Sequence, residues 1–316
     1  MIKKKIPGMS NKDLLKSRAK NRLYSFVMEN GSVRGAIIHG THMIKEMRLN
    51  HGLGILETLA LGHAYLAAGL MTANLKDRDR IAIKIECSGP IKGISVEAGS
   101  FGEVRGYLKN NPIPLEKIPD SFDLAPFFGE GFLQVTRYPE FAKHPYVGHV
   151  KLKYGSIALN LANYYLTSEQ APSAFNLGIK FDTGGNVTGA GGLFLQALPG
   201  ADDRVVGQLE ELVYRLPSIG EAFSEEQTPE DFVDRYFGPF SPKILGNRRV
   251  EFFCPCRKDT TGRILAGLPM ETLGDMLKEG PFPVETRCHN CNTFYYFEKE
   301  EIETFLDHAK KKKRKA

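Results

Sequence analysis

Four of the five cysteines lie within residues 254–291, as Cys254-Pro255-Cys256 and Cys288-His289-Asn290-Cys291, with thirty-one residues between the pairs. Two close cysteine pairs flanking a small module supply four thiolates, enough to enclose one zinc ion with no position left for water. A closed site of this kind holds a fold together and does not activate water as an open catalytic zinc does. The first pair has a second chemistry. With one intervening residue instead of two, its sulfurs are held in a tight bite that could also close into a small disulfide ring. Metal keeps thiols deprotonated, and thiolate is the form that oxidants attack. The four residues therefore read as a metal clamp and as an oxidisable switch. His289 could stand in for one cysteine, but inside the knuckle it is expected to point outward.

The elements around the cysteines are small. Between the pairs, residues 269–278 carry Met270, Leu273, Met276 and Leu277 at helical spacing, and residues 299–308 carry Ile302, Phe305 and Leu306 on one helical face. About sixty residues with so few large apolar groups cannot build a robust core alone, so metal is the expected staple. Just upstream, residues 201–237 are rich in Asp and Glu, with a helical period in Val206, Leu209, Leu212, Val213 and Leu216. Thr228 is placed to cap a second helix, with Pro229 at its first position and Glu230 and Asp231 in its first turn. Helices this short and charged are marginal without a surface to pack on. They read either as a helical hairpin finishing the preceding domain or as a metastable linker.

The remaining 200 or so residues hold short strands and helices with few strict βαβ alternations. Arg80-Ile81-Ala82-Ile83-Lys84-Ile85-Glu86-Cys87 has the period of a half-buried strand, and 93–97, 103–108 and 131–138 repeat it between Gly- and Pro-rich turns. Strands grouped ahead of helices favour an α+β domain. Residues 58–75 are uncharged, but His63, Tyr65, Thr72 and Asn74 make them a buried helix and not a membrane span. No secretory signal is legible, because Pro7, Gly8 and charged residues follow Lys3, Lys4 and Lys5. Clustered cysteines without such a signal suit a reducing cytosol. Cys87 ends a strand and is expected to be a small buried hydrophobe.

The 316 residues suit two domains, or one with an appendage, and 42% hydrophobic and 10% aromatic content suits a globular core. The net charge of +5 includes six cations in residues 310–315, leaving the rest at −1, so a basic body that grips nucleic acid is not indicated. Residues 1–20 read as a basic, mobile extension and residues 309–316 as a basic tail. Asp182-Thr183-Gly184 matches an aspartic-protease triplet, yet no second such triplet occurs, and its surroundings suit a hairpin turn. Gly189-Ala190-Gly191-Gly192 precedes a strand instead of opening a helix, which suits a bulge or close backbone approach and not a phosphate loop. His39 with His42, and His144 with His149, lack the company of a triad or metal site.

The Cys-x-Cys and Cys-x-x-Cys arrangement resembles the heat shock protein 33 family. So do Val33-Arg34-Gly35, Leu70-Met71-Thr72-Ala73 with Lys76, Gly89-Pro90, Val104-Arg105-Gly106-Tyr107 and Pro145-Tyr146-Val147-Gly148. Ser168-Glu169-Gln170-Ala171-Pro172-Ser173, Ala190-Gly191-Gly192 and Leu198-Pro199-Gly200-Ala201 continue the likeness, which spans roughly residues 23–306. Ser156-Ile157-Ala158-Leu159-Asn160 departs from the family's acidic stretch, and both basic tails look additional.

The resemblance implies an N-terminal α+β domain (21–200), a helical linker (201–248) and a C-terminal zinc domain (249–308). It implies a cytoplasmic, ATP-independent holdase chaperone and not an enzyme, inactive while reduced and holding one Zn2+ on Cys254, Cys256, Cys288 and Cys291. On oxidation Cys254 is expected to pair with Cys256 and Cys288 with Cys291, zinc to leave, and the linker to unfold. The expected partners are then unfolding client proteins, bound by a homodimer, with no membrane or nucleic-acid partner. A constitutive zinc-ribbon nucleic-acid binder is the alternative that the four thiolates and the lysine tail leave open.

Overall fold

The computed structural model describes residues 1–115, 117 and 121–313, the last three as backbone, so the end of the expected basic tail lies outside the described residues. The chain forms two compact units, one of Lys4–Phe253 and a smaller one of Met1–Lys3 with the residues from Cys254 onward.

The larger unit opens with α1 (Asn11–Lys20), β1 (Arg22–Met28), β2 (Val33–His39), α2 (Thr41–His51) and α3 (Ile55–Met71). It continues through β3 (Arg80–Cys87), β4 (Gly93–Gly99), β5 (Glu103–Leu108), α4 (Ala125–Phe128), β6 (Gly131–Tyr138) and β7 (Tyr146–Lys151). Then follow α5 (Ile157–Ser168), β8 (Ser173–Phe181), β9 (Val187–Ala197), α6 (Asp203–Arg215), α7 (Ile219–Ser224), α8 (Pro229–Phe237), β10 (Lys243–Arg249) and β11 (Glu251–Phe252). A five-stranded antiparallel sheet runs β10-β1-β2-β9-β8, and a six-stranded sheet runs β11-β5-β4-β3-β6-β7, parallel only at β11–β5.

The alternation read in β3 is realised: Ile81, Ile83 and Ile85 are buried while Arg80, Lys84 and Glu86 face outward. The uncharged segment becomes α3, buried along nearly its whole length because it packs on strands of both sheets. It is long and apolar enough to cross a membrane, but 83% of that window is buried inside the protein, as befits a core helix. Residues 11–20, expected as part of a mobile tail, form α1 instead. The Ser10 hydroxyl accepts from Asp13 N–H, and Arg18 pairs at 3.0 Å with the buried Glu46 of α2. Asp182 sits in the β8–β9 turn, where its carboxylate accepts from Asn186 N–H at 2.7 Å, so it is turn chemistry as read.

The acidic segment after residue 200 supplies α6, α7 and α8, which cover one face of the five-stranded sheet. Phe26, Met28, Val33, Ile37, Leu193 and Leu195 form the sheet side of this core; Ile219, Phe223, Phe232, Val233 and Phe237 form the helix side. Thr228 and Asp231 make the reciprocal cap anticipated for α8. The amphipathic α6 buries only Leu209, so it is held far less firmly than α7 and α8. The Gly-rich stretch of β9 explains how α7 lies so close. A Cβ at Gly189 would overlap the Gly220 carbonyl oxygen, and one at Gly191 would strike the Phe223 ring. From Gly220 of α7, a Cβ would meet the Gly178 backbone at 2.8 Å. Bare backbone on both sides makes the contact possible.

His39 ends β2 beneath this cover. Its ring lies 4.6 Å from that of Phe223, and its buried Nδ1 has no hydrogen-bond partner. Burial, helped by the nearby Lys20 charge, pushes its pKa from 6.5 down to about 4. Arg22, Glu226 and Glu230 line the same recess. The exposed imidazole takes up its proton first as pH falls, so docking of α7 and α8 is complete above pH 6.5 and weakens toward pH 4, by at most roughly 3 kcal/mol. The protection factors of α7 and α8 amides, which discount the base-catalysed intrinsic exchange rate, are therefore expected to be constant from pH 8 to 7 and to fall below. That fall should flatten in His39→Gln; an unchanged profile in the variant would exclude His39 as its source.

Candidate metal centre

The smaller unit contains α9 (Lys258–Leu265), α10 (Met270–Glu279), β12 (Val284–Arg287), β13 (Phe294–Phe297) and α11 (Lys299–Lys313). Its core is Leu265, Leu273, Tyr295, Phe297 and Ile302, edged by half-buried neighbours such as Met276, Leu277 and Phe305. Five buried side chains are few for a unit of this length, in line with the need for a staple.

β12 and β13 pair antiparallel, and the turn joining them carries the second knuckle. Cys288 N–H donates to Thr293 O at 2.9 Å and Asn292 N–H to Cys288 O at 2.7 Å. Asn292 takes the left-handed conformation (φ 55°) that this tight turn needs and that asparagine tolerates. The first knuckle lies between β11 and α9. All four sulfurs lie within 4.8 Å of one another, and none is in a disulfide. Cys254 Sγ is 3.8 Å from Cys288 Sγ, and Cys256 Sγ is 3.3 Å from Cys291 Sγ. A tetrahedral tetrathiolate with Zn–S of about 2.3 Å has sulfur–sulfur edges of about 3.8 Å, so these residues fit zinc with little adjustment. His289 is exposed, outside the sulfur cluster, as its place in the knuckle suggested.

The electrostatics of the cluster favour a cation. Sulfhydryls of Cys288 and Cys291 stabilise charge on Cys254, driving its pKa far down. Cys288, donating its S–H to that thiolate and facing its charge, is held protonated and pushed up to about 11. Cys291 moves upward for the same reason. A divalent ion at the centre removes this repulsion, so loading the site must expel protons.

Other residues that complete the site were not legible in the sequence. The Tyr295 hydroxyl donates to Cys256 O at 2.9 Å and lies 3.2 Å from Cys256 Sγ. Burial together with the Cys256 contact raises the Tyr295 pKa. Thr293 Oγ1 lies 3.2 Å from Cys291 Sγ. Met1 Sδ accepts from Cys254 N–H at 2.9 Å. Neither the strand residue Tyr295 nor the chain's first residue carries a sequence signal for such a role. Cys87 lies in the other unit and is half-buried; burial raises its pKa, which leaves it a poor thiolate.

The model of the Hsp33 protein family matches residues 21–298. The 33 kDa chaperonin of Desulforamulus reducens is 35% identical over 287 residues, covering 90% of this chain and 97% of that protein. The 33 kDa chaperonin of Acetivibrio thermocellus is 34% identical, covering 87% and 93%. Among solved structures, the 33 kDa chaperonin (heat shock protein 33 homolog) of Thermotoga maritima superposes with a TM-score of 0.82 at 33% identity, covering 92% of this chain and 99% of that one. With a mixed α+β fold, four clustered cysteines and likeness along nearly its whole length, the chain belongs to the heat shock protein 33 family of chaperones.

Proposed function

We propose that this protein is an ATP-independent, redox-controlled holdase of the cytoplasm, locked while zinc sits on Cys254, Cys256, Cys288 and Cys291. The observation that carries this reading is four cysteine sulfurs within 4.8 Å, none in a disulfide, in a unit whose hydrophobic core buries five side chains among the described residues. Zinc bound there would hold the sulfurs as thiolates and tie the two knuckles together. In the reduced geometry the sulfur contacts of 3.8 and 3.3 Å run across the knuckles. Disulfides within them, Cys254–Cys256 and Cys288–Cys291, dismantle the ligand set. For each, a thiolate attacks hydrogen peroxide to give a sulfenic acid and hydroxide, and the second thiolate displaces a further hydroxide as the S–S bond forms. Two electrons leave the sulfur pair, and one peroxide becomes two waters once protons are taken up.

Loss of the staple acts on the linker through the chain itself. Phe252 is buried beside Tyr65, Phe253 N–H donates to Val104 O, and Cys254 follows directly. Disorder entering at Cys254 frays β11 and then β10, whose outward residues contribute little burial. Release of α6–α8 uncovers Phe26, Met28, Val33, Ile37, Leu193 and Leu195, a contiguous apolar surface for unfolding clients. In this reading the domains run 21–200, 201–248 and 249–308, the active form is a homodimer, and no reaction is catalysed.

Peroxide at raised temperature is expected to release one zinc per chain and to switch on suppression of client aggregation, with both reversed by a dithiol and zinc. Zinc retained under peroxide, or suppression equal before and after, would sink the proposal.

A further inference from the structure

We infer that the first residues of the chain are a strap that sets how readily the cysteine cluster opens. Met1–Lys3 belong to the cysteine-bearing unit and lie outside residues 21–298, which the family model matches. Its bonds go to the backbone of one knuckle and to a side chain of the other. Cys254 N–H donates to Met1 Sδ at 2.9 Å, and the Met1 amino group donates to Cys256 O at 2.6 Å. Ile2 N–H donates to Thr293 Oγ1 at 3.2 Å, the same oxygen that lies 3.2 Å from Cys291 Sγ. With a longer contact of 3.4 Å from the Met1 amino group to Cys254 O, four bonds from two consecutive residues reach Cys254, Cys256 and Thr293, whose hydroxyl lies against the Cys291 sulfur.

Opening either knuckle requires these partners to move. The Cys254-Pro255-Cys256 backbone must turn for its sulfurs to meet, and Thr293 must release Cys291 as that sulfur swings toward Cys288. With the strap in place, each movement breaks a bond that the family's matched region alone does not supply. The strap therefore slows oxidation and metal loss, raising the oxidant dose at which the switch trips. The inference rests on the redox reading above.

The test compares four full-length or truncated chains: wild type, a chain lacking residues 1–10, Thr293→Val, and both changes together. Two rates are read on the reduced, zinc-loaded proteins, with circular dichroism to check folding: zinc appearance under peroxide, and alkylation of Cys254 and Cys256 by iodoacetamide without oxidant. Truncation is expected to raise both rates about tenfold, the effect of losing two or three partly exposed hydrogen bonds. The Thr293→Val effect should shrink in the truncated chain, since part of it runs through Ile2. Unchanged rates on truncation, or effects that simply multiply, would overturn the strap. Zinc retained by every chain under peroxide would instead remove the redox reading, and the alkylation rates would still report on the strap.

Discussion

A Cys291→Ser chain is expected to carry no zinc at micromolar free metal and to lose protected amides throughout α9, α10 and α11, while residues 21–200 keep their secondary structure. Cys291 is fully buried, its sulfur 3.3 Å from Cys256 Sγ and 3.2 Å from Thr293 Oγ1. Serine leaves a hydroxyl that does not ionise at neutral pH, so the set falls to three thiolates with an oxygen at the closest contact. Tetrathiolate binding in small modules contributes about 10–16 kcal/mol of apparent folding free energy. Among the described residues, no other interaction in this unit approaches that. Its buried hydrophobic core is Leu265, Leu273, Tyr295, Phe297 and Ile302, and its ion pairs, such as Lys258–Glu301, are exposed and worth at most about 1 kcal/mol. Metal analysis and hydrogen exchange read the two effects separately. Cys87→Ser serves as control and should change neither. Protected amides in α10 of zinc-free Cys291→Ser would show that the five-residue core suffices, and the lock would have to be sought elsewhere.

What the sequence disclosed follows from the range of the forces involved. Cysteine spacing is local, and a four-sulfur cluster is the simplest use of two knuckles, so the cluster could be read directly. Tyr295, Thr293 and Met1 could not, because their roles depend on where distant backbone arrives. The same contrast holds in the fold. Strict alternation disclosed β3, and a capping residue with a proline disclosed α8. The strand β10, Lys-Ile-Leu-Gly-Asn-Arg-Arg, shows no clean period because it is an edge strand with most of its residues exposed; it exists because β1 offers an unpaired edge. Two-residue β11 is below any periodic signal, though Phe252 is fully buried. Helix α1 has no apolar face, and its stability comes from a cap and from Arg18 reaching Glu46. The glycines of β9 announced a close approach but not the partner, which is α7, whose own Gly220 completes the fit.

Phe232→Ala is expected to produce a chain that suppresses client aggregation while reduced and zinc-loaded, which separates the cover from its lock. Phe232 is fully buried in the core that α6–α8 share with the five-stranded sheet, its ring 6.4 Å from Phe223 and 4.7 Å from Tyr236. Truncating a buried phenylalanine costs about 3–5 kcal/mol. For the whole larger unit, with its two sheets and the core helix α3, that loss is affordable; for α6–α8 it is comparable to what holds them down, since α6 contributes only one buried residue. The penalty thus falls on local docking, and the helices should open without unfolding the sheets beneath. Zinc content should stay at one per chain, in contrast to Cys291→Ser. Gly189→Val should act in the same direction by another route, because its side chain would collide with the Gly220 carbonyl and lift α7 from the strand. Aggregation assays without oxidant, paired with hydrogen exchange at α7 and α8, check both variants. If either variant opens its helices yet stays inactive until peroxide is added, the sheet face under α6–α8 is not the client surface. Exchange confined to residues 203–237 with full activity would place the holdase surface on Phe26, Met28, Val33, Ile37, Leu193 and Leu195, and make oxidation one of several ways to expose it.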